Sequence, residues 1–148
     1  MKWLIFLLPI SIFANNLIKQ IYIKGKEFNY GYTLVAIAYV ESRLGKYMIN
    51  LQDPSCGLFH VMPSTLSTNK WKQSRICEAL IKDNDFSISV ALKRLKYFEN
   101  YWKNKGYRGT KLWRRTVNSY NSGFGNNPKY VQKVINAVKK FRYIIKDY

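Results

Sequence analysis

Thr33-Leu-Val-Ala-Ile-Ala-Tyr-Val-Glu41-Ser42, followed after a loop by Gly57-Leu-Phe-His-Val-Met-Pro-Ser-Thr65, is the stretch on which the fold turns. Leu34, Ile37, Ala38 and Glu41 stand at i, i+3, i+4 and i+7, which puts all four on one face of an amphipathic helix. That face is apolar until its last member. A carboxylate closing an apolar face loses part of its water, which favours the protonated form and equips it to donate a proton. Gly45 and then Asp53-Pro54 break the helix, so Glu41 is expected at a helix end beside a loop that a substrate can reach. A solvated surface glutamate is the other reading of the same position.

Outward from this stretch the chain reads as helices. Leu17, Ile18, Ile21 and Tyr22 recur with helical spacing, and Gly25 is placed to end that helix. Residues 43–56 read as a loop, with Asn50, Asp53, Pro54 and Ser55 as turn formers. Gly57 to Met62 is a short apolar turn, and Pro63 suits the first position of a helix carried to about Lys82. Asp83 to Asp85 offer N-caps for a long helix from Phe86 to about Lys103, with Ile88, Ala91, Leu92, Leu95, Phe98 and Trp102 inward. Two more helices follow, from Lys111 to Tyr120 and from Pro128 to about Ile145. No stretch alternates convincingly as a strand, so the fold class is all-α.

The 148 residues suffice for one domain with one sizeable core. Hydrophobic residues at 47% and charged residues at 22% disfavour disorder. The first residues differ in kind: Lys2, an apolar run from Trp3 to Ile10, then Ser11 to Ala14 before Asn15 read as a signal peptide over residues 1–14, leaving a domain of residues 15–148. Ile12 is bulky for the position two before the cut, and an uncleaved anchor is the alternative, although the run is short for a membrane span. With 25 basic and 8 acidic side chains the formal charge is +17, an excess that favours an anionic partner. Nucleic acid, an acidic membrane face and a carboxylate-bearing wall polymer all qualify. Export makes nucleic acid the least suitable of the three and the protein periplasmic or secreted.

Elimination narrows the chemistry. Asp83 and Asp85 read as caps, Glu27, Glu78 and Asp147 lie among polar neighbours or at the terminus, and Glu99 has ion-pair spacing to Lys96 and Lys103. Glu41 remains, with Asp53 as the nearest second carboxylate; a turn-forming role before Pro54 is the other reading of Asp53. One acidic carboxyl suits protonation of a leaving oxygen, and a pair suits glycoside hydrolysis. His60 is the single histidine and no Cys-x-x-Cys pair exists, so neither a metal nor another cofactor is implied. Cys56 and Cys77 are equally readable as a disulfide or as two buried thiols.

Three groups of residues in order resemble the motifs of the soluble lytic transglycosylases: Glu41-Ser42 at a helix end, Gly57-Leu58-Phe59 running on to Met62-Pro63-Ser64-Thr65, and Ser119-Tyr120-Asn121-Ser122-Gly123. The similarity covers about residues 30–135, and the short chain between Gly123 and Tyr130 is more like the compact members that accompany secretion or pilus machinery. The resemblance implies a lysozyme-like fold acting on peptidoglycan glycan strands. By it, Glu41 would protonate the oxygen of the bond between N-acetylmuramic acid and N-acetylglucosamine and then take a proton from the muramic 6-hydroxyl, giving a 1,6-anhydro sugar. Ser42, Gly57, Leu58, Phe59, Met62, Tyr120 and Asn121 would approach substrate. His60 stands where the family usually carries a substrate-binding glutamine, and Ser119 and Ser122 replace usual alanines. A lysozyme or endolysin-like hydrolase of the same fold, and a non-catalytic basic wall-binding module whose aromatics stack on sugars, are the competing readings.

Overall fold

The computed structural model describes residues 12–145, and its central element is α2 (Gly31–Ser42). The spacing of Leu34, Ile37 and Ala38 suggests one apolar face, but Val35 and Ala36 between them are just as inaccessible to solvent. α2 is apolar on all sides because it is enclosed on all sides, the pattern of a core helix rather than an amphipathic one. It packs chiefly between α1 (Ile12–Lys26) and α6 (Pro128–Ile144). Full burial of Leu34, Val35 and Ile37 contributes about 1.5–3 kcal/mol each.

Two two-residue strands, β1 (Ile49–Asn50) and β2 (Ser55–Cys56), pair antiparallel in the loop after α2, with Ile49 opposite Cys56. They correct the all-loop reading of residues 43–56, being too short for any alternation to show. Pro63 opens a single 3-10 turn, Pro63–Thr65, and not a helix reaching Lys82. The helix there is α3 (Lys70–Lys82), started where the Asn69 side chain accepts the Lys72 N–H. Asp83 caps α4 (Asn84–Asn104) by accepting the Phe86 N–H, as its sequence position suggests. α5 (Gly109–Ser122) and α6 complete the chain, with Asn127 capping α6 ahead of Pro128. Among the described residues, six helices with one core and a minimal hairpin make this an all-α, lysozyme-like domain.

The signal-peptide reading falls mostly on residues outside those described. α1 runs across Ala14, the expected cut. Among the described residues no helix is long and apolar enough to cross a membrane. Glu99 pairs with Lys96 at 2.7 Å and is half-buried, so it is not the freely solvated ion pair its spacing suggests.

Cys56 and Cys77 form a disulfide, with Cα atoms 5.4 Å apart, that fastens β2 to α3 across 21 residues of chain. Closing a loop of this size stabilises by about 3 kcal/mol through the unfolded state. Replacing both cysteines by Ala is therefore expected to lower stability in urea by about 2–4 kcal/mol, with a lower midpoint and a steeper slope because the unfolded chain is no longer cross-linked. An unchanged midpoint in equilibrium unfolding would refute the contribution.

Candidate active site

The end of α2 places Glu41. Arg43 and Leu44 turn into the left-handed region, with φ of 55° and 58°, and the Leu44 N–H bonds to the Ala38 carbonyl at 3.1 Å. This stops the helix within one turn of Glu41. Ser42 is completely buried, and its hydroxyl donates to the Leu58 carbonyl at 2.8 Å while accepting the Gly45 N–H at 2.9 Å. One hydroxyl thus ties the helix end to the Gly57–Met62 turn.

That turn is closed by reciprocal bonds between Cys56 and Val61, at 2.9 and 3.0 Å. Gly57 has φ of 81°, and a Cβ there would lie 2.4 Å from the Leu80 carbonyl oxygen, so only glycine lets the turn lie against α3. Leu58 and Phe59 point into the core and are fully buried. The side chains of Ser42, Leu58 and Phe59 are turned inward and Gly57 lies against α3, so what these four expected substrate-binding residues present toward the groove is the backbone of the turn. His60, at φ of 43°, is the residue of the turn that faces Glu41.

α5 supports the same turn from the other side. The Tyr120 hydroxyl donates to the Phe59 carbonyl at 3.0 Å, and Arg94 of α4 donates through Nε to the Tyr120 carbonyl at 2.8 Å. Burial, followed by the charge of Glu41, raises the Tyr120 pKa, so the phenol remains a donor. The Ser119 hydroxyl accepts the Trp102 indole N–H at 2.9 Å. Asn121 is exposed, and its Oδ1 accepts from Asn127 Nδ2 at 2.8 Å.

Two side chains make polar contacts with the Glu41 carboxylate among the described residues. The Tyr130 hydroxyl donates to Oε1 at 2.7 Å, and His60 Nδ1 lies 3.5 Å from Oε2. His60 Nε2 donates to the Tyr47 carbonyl at 2.7 Å. Tyr130 is buried, and desolvation together with the Glu41 charge holds its pKa well above the ordinary value. Sequence reading missed Tyr130, which is 89 residues from Glu41. A usable signal was present, since Tyr130, Val134, Ala137 and Phe141 share the inward face of α6 and a buried phenol needs a partner.

Two recesses meet at Glu41, His60 and Asn121. A narrow polar pocket of about 80 Å³ also holds Asp53, Met62, Thr65 and Arg94. A wide recess of about 780 Å³ is bordered by Tyr47, Ile49 and Leu51 on the hairpin side and by Lys129 and Lys133 on α6. The three apolar residues are largely exposed, Leu51 at 95%. Asp53 is exposed and accepts the Ser55 hydroxyl at 2.6 Å, so it serves its turn while sharing the pocket with Glu41. Among the described residues no cluster of His, Cys, Asp and Glu is placed to hold a metal ion.

An all-α fold with a largely buried glutamate where two recesses meet is the arrangement of a lysozyme-like domain. More particularly, the chain belongs to the transglycosylase SLT domain family, whose sequence model matches residues 21–142. That family acts on peptidoglycan. No curated protein and no solved structure matches the chain.

Because Ser42 serves a buried carbonyl and a half-buried amide, Ser42→Ala is expected to destabilise the fold by about 1–3 kcal/mol, the cost of leaving the buried carbonyl unpaired. Urea unfolding checks this; a loss under about 0.5 kcal/mol, the range of neutral surface changes, would show the clamp to be dispensable.

Proposed function

We propose that the protein is a peptidoglycan lytic transglycosylase that cleaves the β-1,4 bond between N-acetylmuramic acid and N-acetylglucosamine with Glu41 as acid and then base. The observation that carries this reading is the position of Glu41, 14% exposed, where the two recesses of the groove meet. A polymer strand lying along the groove presents its linking oxygen there. Glu41 gives its proton to that oxygen as the bond to the muramic C1 breaks, and the sugar beyond leaves as an alcohol. The muramic 6-hydroxyl then bonds to C1 and returns its proton to Glu41. No water is consumed, and the carboxyl ends as it began.

Tyr130 orients the carboxylate through Oε1, while Met62 and Asn121 line the groove and the exposed Tyr47, Ile49 and Leu51 offer apolar surface to sugar faces. The cations at Lys129 and Lys133 suit a strand bearing carboxylates. Residues 1–14 are proposed as an export signal that delivers the domain to the periplasm, in keeping with a substrate outside the cytoplasm. Service to a secretion or pilus apparatus is consistent with the short segment between Gly123 and Tyr130. A hydrolase is the second reading, favoured by one observation: Asp53 shares the narrow pocket with Glu41 and could activate water.

Digestion of purified peptidoglycan followed by mass spectrometry separates these readings. The transglycosylase yields anhydro-ended fragments, and Glu41→Gln is expected to fold and lose about 10²–10⁴-fold in rate. Fragments heavier by one water, lost on Asp53→Asn, would make the protein a hydrolase. Wall binding by folded protein, without cleavage and indifferent to Glu41→Gln, would leave a binding module.

A further inference from the structure

His60 is held with unusual definition. Its backbone sits in the left-handed region inside a turn closed by the Cys56–Val61 bonds and fastened by the Cys56–Cys77 disulfide. A carbonyl oxygen can only accept, so the 2.7 Å contact with the Tyr47 carbonyl requires the hydrogen on Nε2. In the neutral ring Nδ1 is then a bare lone pair. It faces Glu41 Oε2 at 3.5 Å, and Oε1 is occupied by the Tyr130 hydroxyl. A lone pair facing a carboxylate is repulsive unless a proton lies between them. The geometry therefore favours one added proton per pair, on Glu41 with a neutral ring or on His60 beside the carboxylate.

We propose that Glu41 and His60 share this single proton, His60 storing it beside the carboxylate and returning it when a substrate oxygen demands it. The proposal deepens the function assigned to Glu41 and rests on it for its catalytic meaning. His60 acts through Glu41 and exchanges its proton with that carboxylate alone, not with the substrate. In the step itself the proton moves from Nδ1 to Oε2 and thence to the leaving oxygen, and the 6-hydroxyl proton later refills the pair. Charge and proton number are unchanged over the cycle.

The surroundings set the sign. The bond to Glu41 is the main influence raising the His60 pKa, opposed by desolvation and aided by the Tyr47 carbonyl and the charges of Glu41 and Asp53. From the helices, Arg94, Lys129 and Lys133 line the same recesses and work against an imidazolium, while Tyr120 and Tyr130 remain neutral. Arg94 is already bonded to the Tyr120 carbonyl. The stored proton is therefore held below and through the ordinary histidine value of 6.5 and lost as pH rises through the raised one.

Because the chain contains one histidine, a nitrogen-15 NMR titration of the full chain reads His60 directly. The midpoint is expected above 6.5 in the wild type and lower in Glu41→Gln, with Nε2 remaining the protonated nitrogen at high pH. In peptidoglycan cleavage, His60→Gln is expected to move the midpoint of the alkaline limb to lower pH, a change that a purely structural role would not make. An unchanged His60 midpoint in folded Glu41→Gln, or an unchanged alkaline limb in His60→Gln, overturns the shared proton. The titration needs no activity. Proton sharing without cleavage would sink the transglycosylase reading alone, and Glu41-dependent cleavage with an indifferent His60 would sink only this one.

Discussion

The hydroxyl of Ser42 joins two parts of the chain that each lack an alternative. α2 ends there in consecutive left-handed residues, Arg43 and Leu44, a conformation that costs non-glycine residues about 1–3 kcal/mol each. The turn carrying His60 lies sixteen residues on, and its Leu58 carbonyl is buried with the Ser42 hydroxyl as its bonded donor. The strain at the helix end is tolerable because Ser42, the Leu44 amide and the packed turn jointly fix it. Glu41 inherits that fixity: it sits one residue before the clamp, on a helix with no exposed face along which to slide.

The rest of the fold can be understood as support for this junction. α3 presses its Leu80 carbonyl against Gly57 and is fastened to β2 by the disulfide. α5 meets the turn through Tyr120, Arg94 of α4 holds the Tyr120 carbonyl in place, and α6 brings Tyr130 across to the carboxylate. Three elements, α3, α5 and α6, thus converge on the Gly57–Met62 turn or on Glu41, through the close approach of Leu80 to Gly57 and the hydroxyls of Tyr120 and Tyr130, with α4 bracing α5. A buried polar contact left unmade is costly, so these contacts fix position more sharply than apolar packing alone.

What could be read in the sequence follows from which of these forces are local. Asp83 and Asn127-Pro128 announce helix starts because capping is settled within four residues, and Glu41 stands out because it closes an apolar helical face. The start of α3 at Lys70 was hidden, since Pro63 suits the first position of a 3-10 turn as well as of an α-helix. The hairpin was hidden because two-residue strands carry no period. Tyr130 and the inward turn of Leu58 and Phe59 depend on contacts between residues far apart in the chain. The side chains of several motif residues pack inward, so a residue can shape a site through its packing as well as by facing it.

The same distinction explains why His60 is the informative position of its turn. Leu58 and Phe59 are committed to the core and Gly57 to the approach of α3, which leaves the fourth residue free to face the carboxylate. An amide placed there would offer Glu41 a fixed donor whatever the pH. An imidazole whose Nε2–H is already taken by the Tyr47 carbonyl offers a lone pair or a proton, and which one depends on the occupancy of Glu41. The Tyr47 carbonyl is therefore as much a part of the arrangement as the two side chains, because it removes the tautomer that would let a neutral ring donate to Glu41.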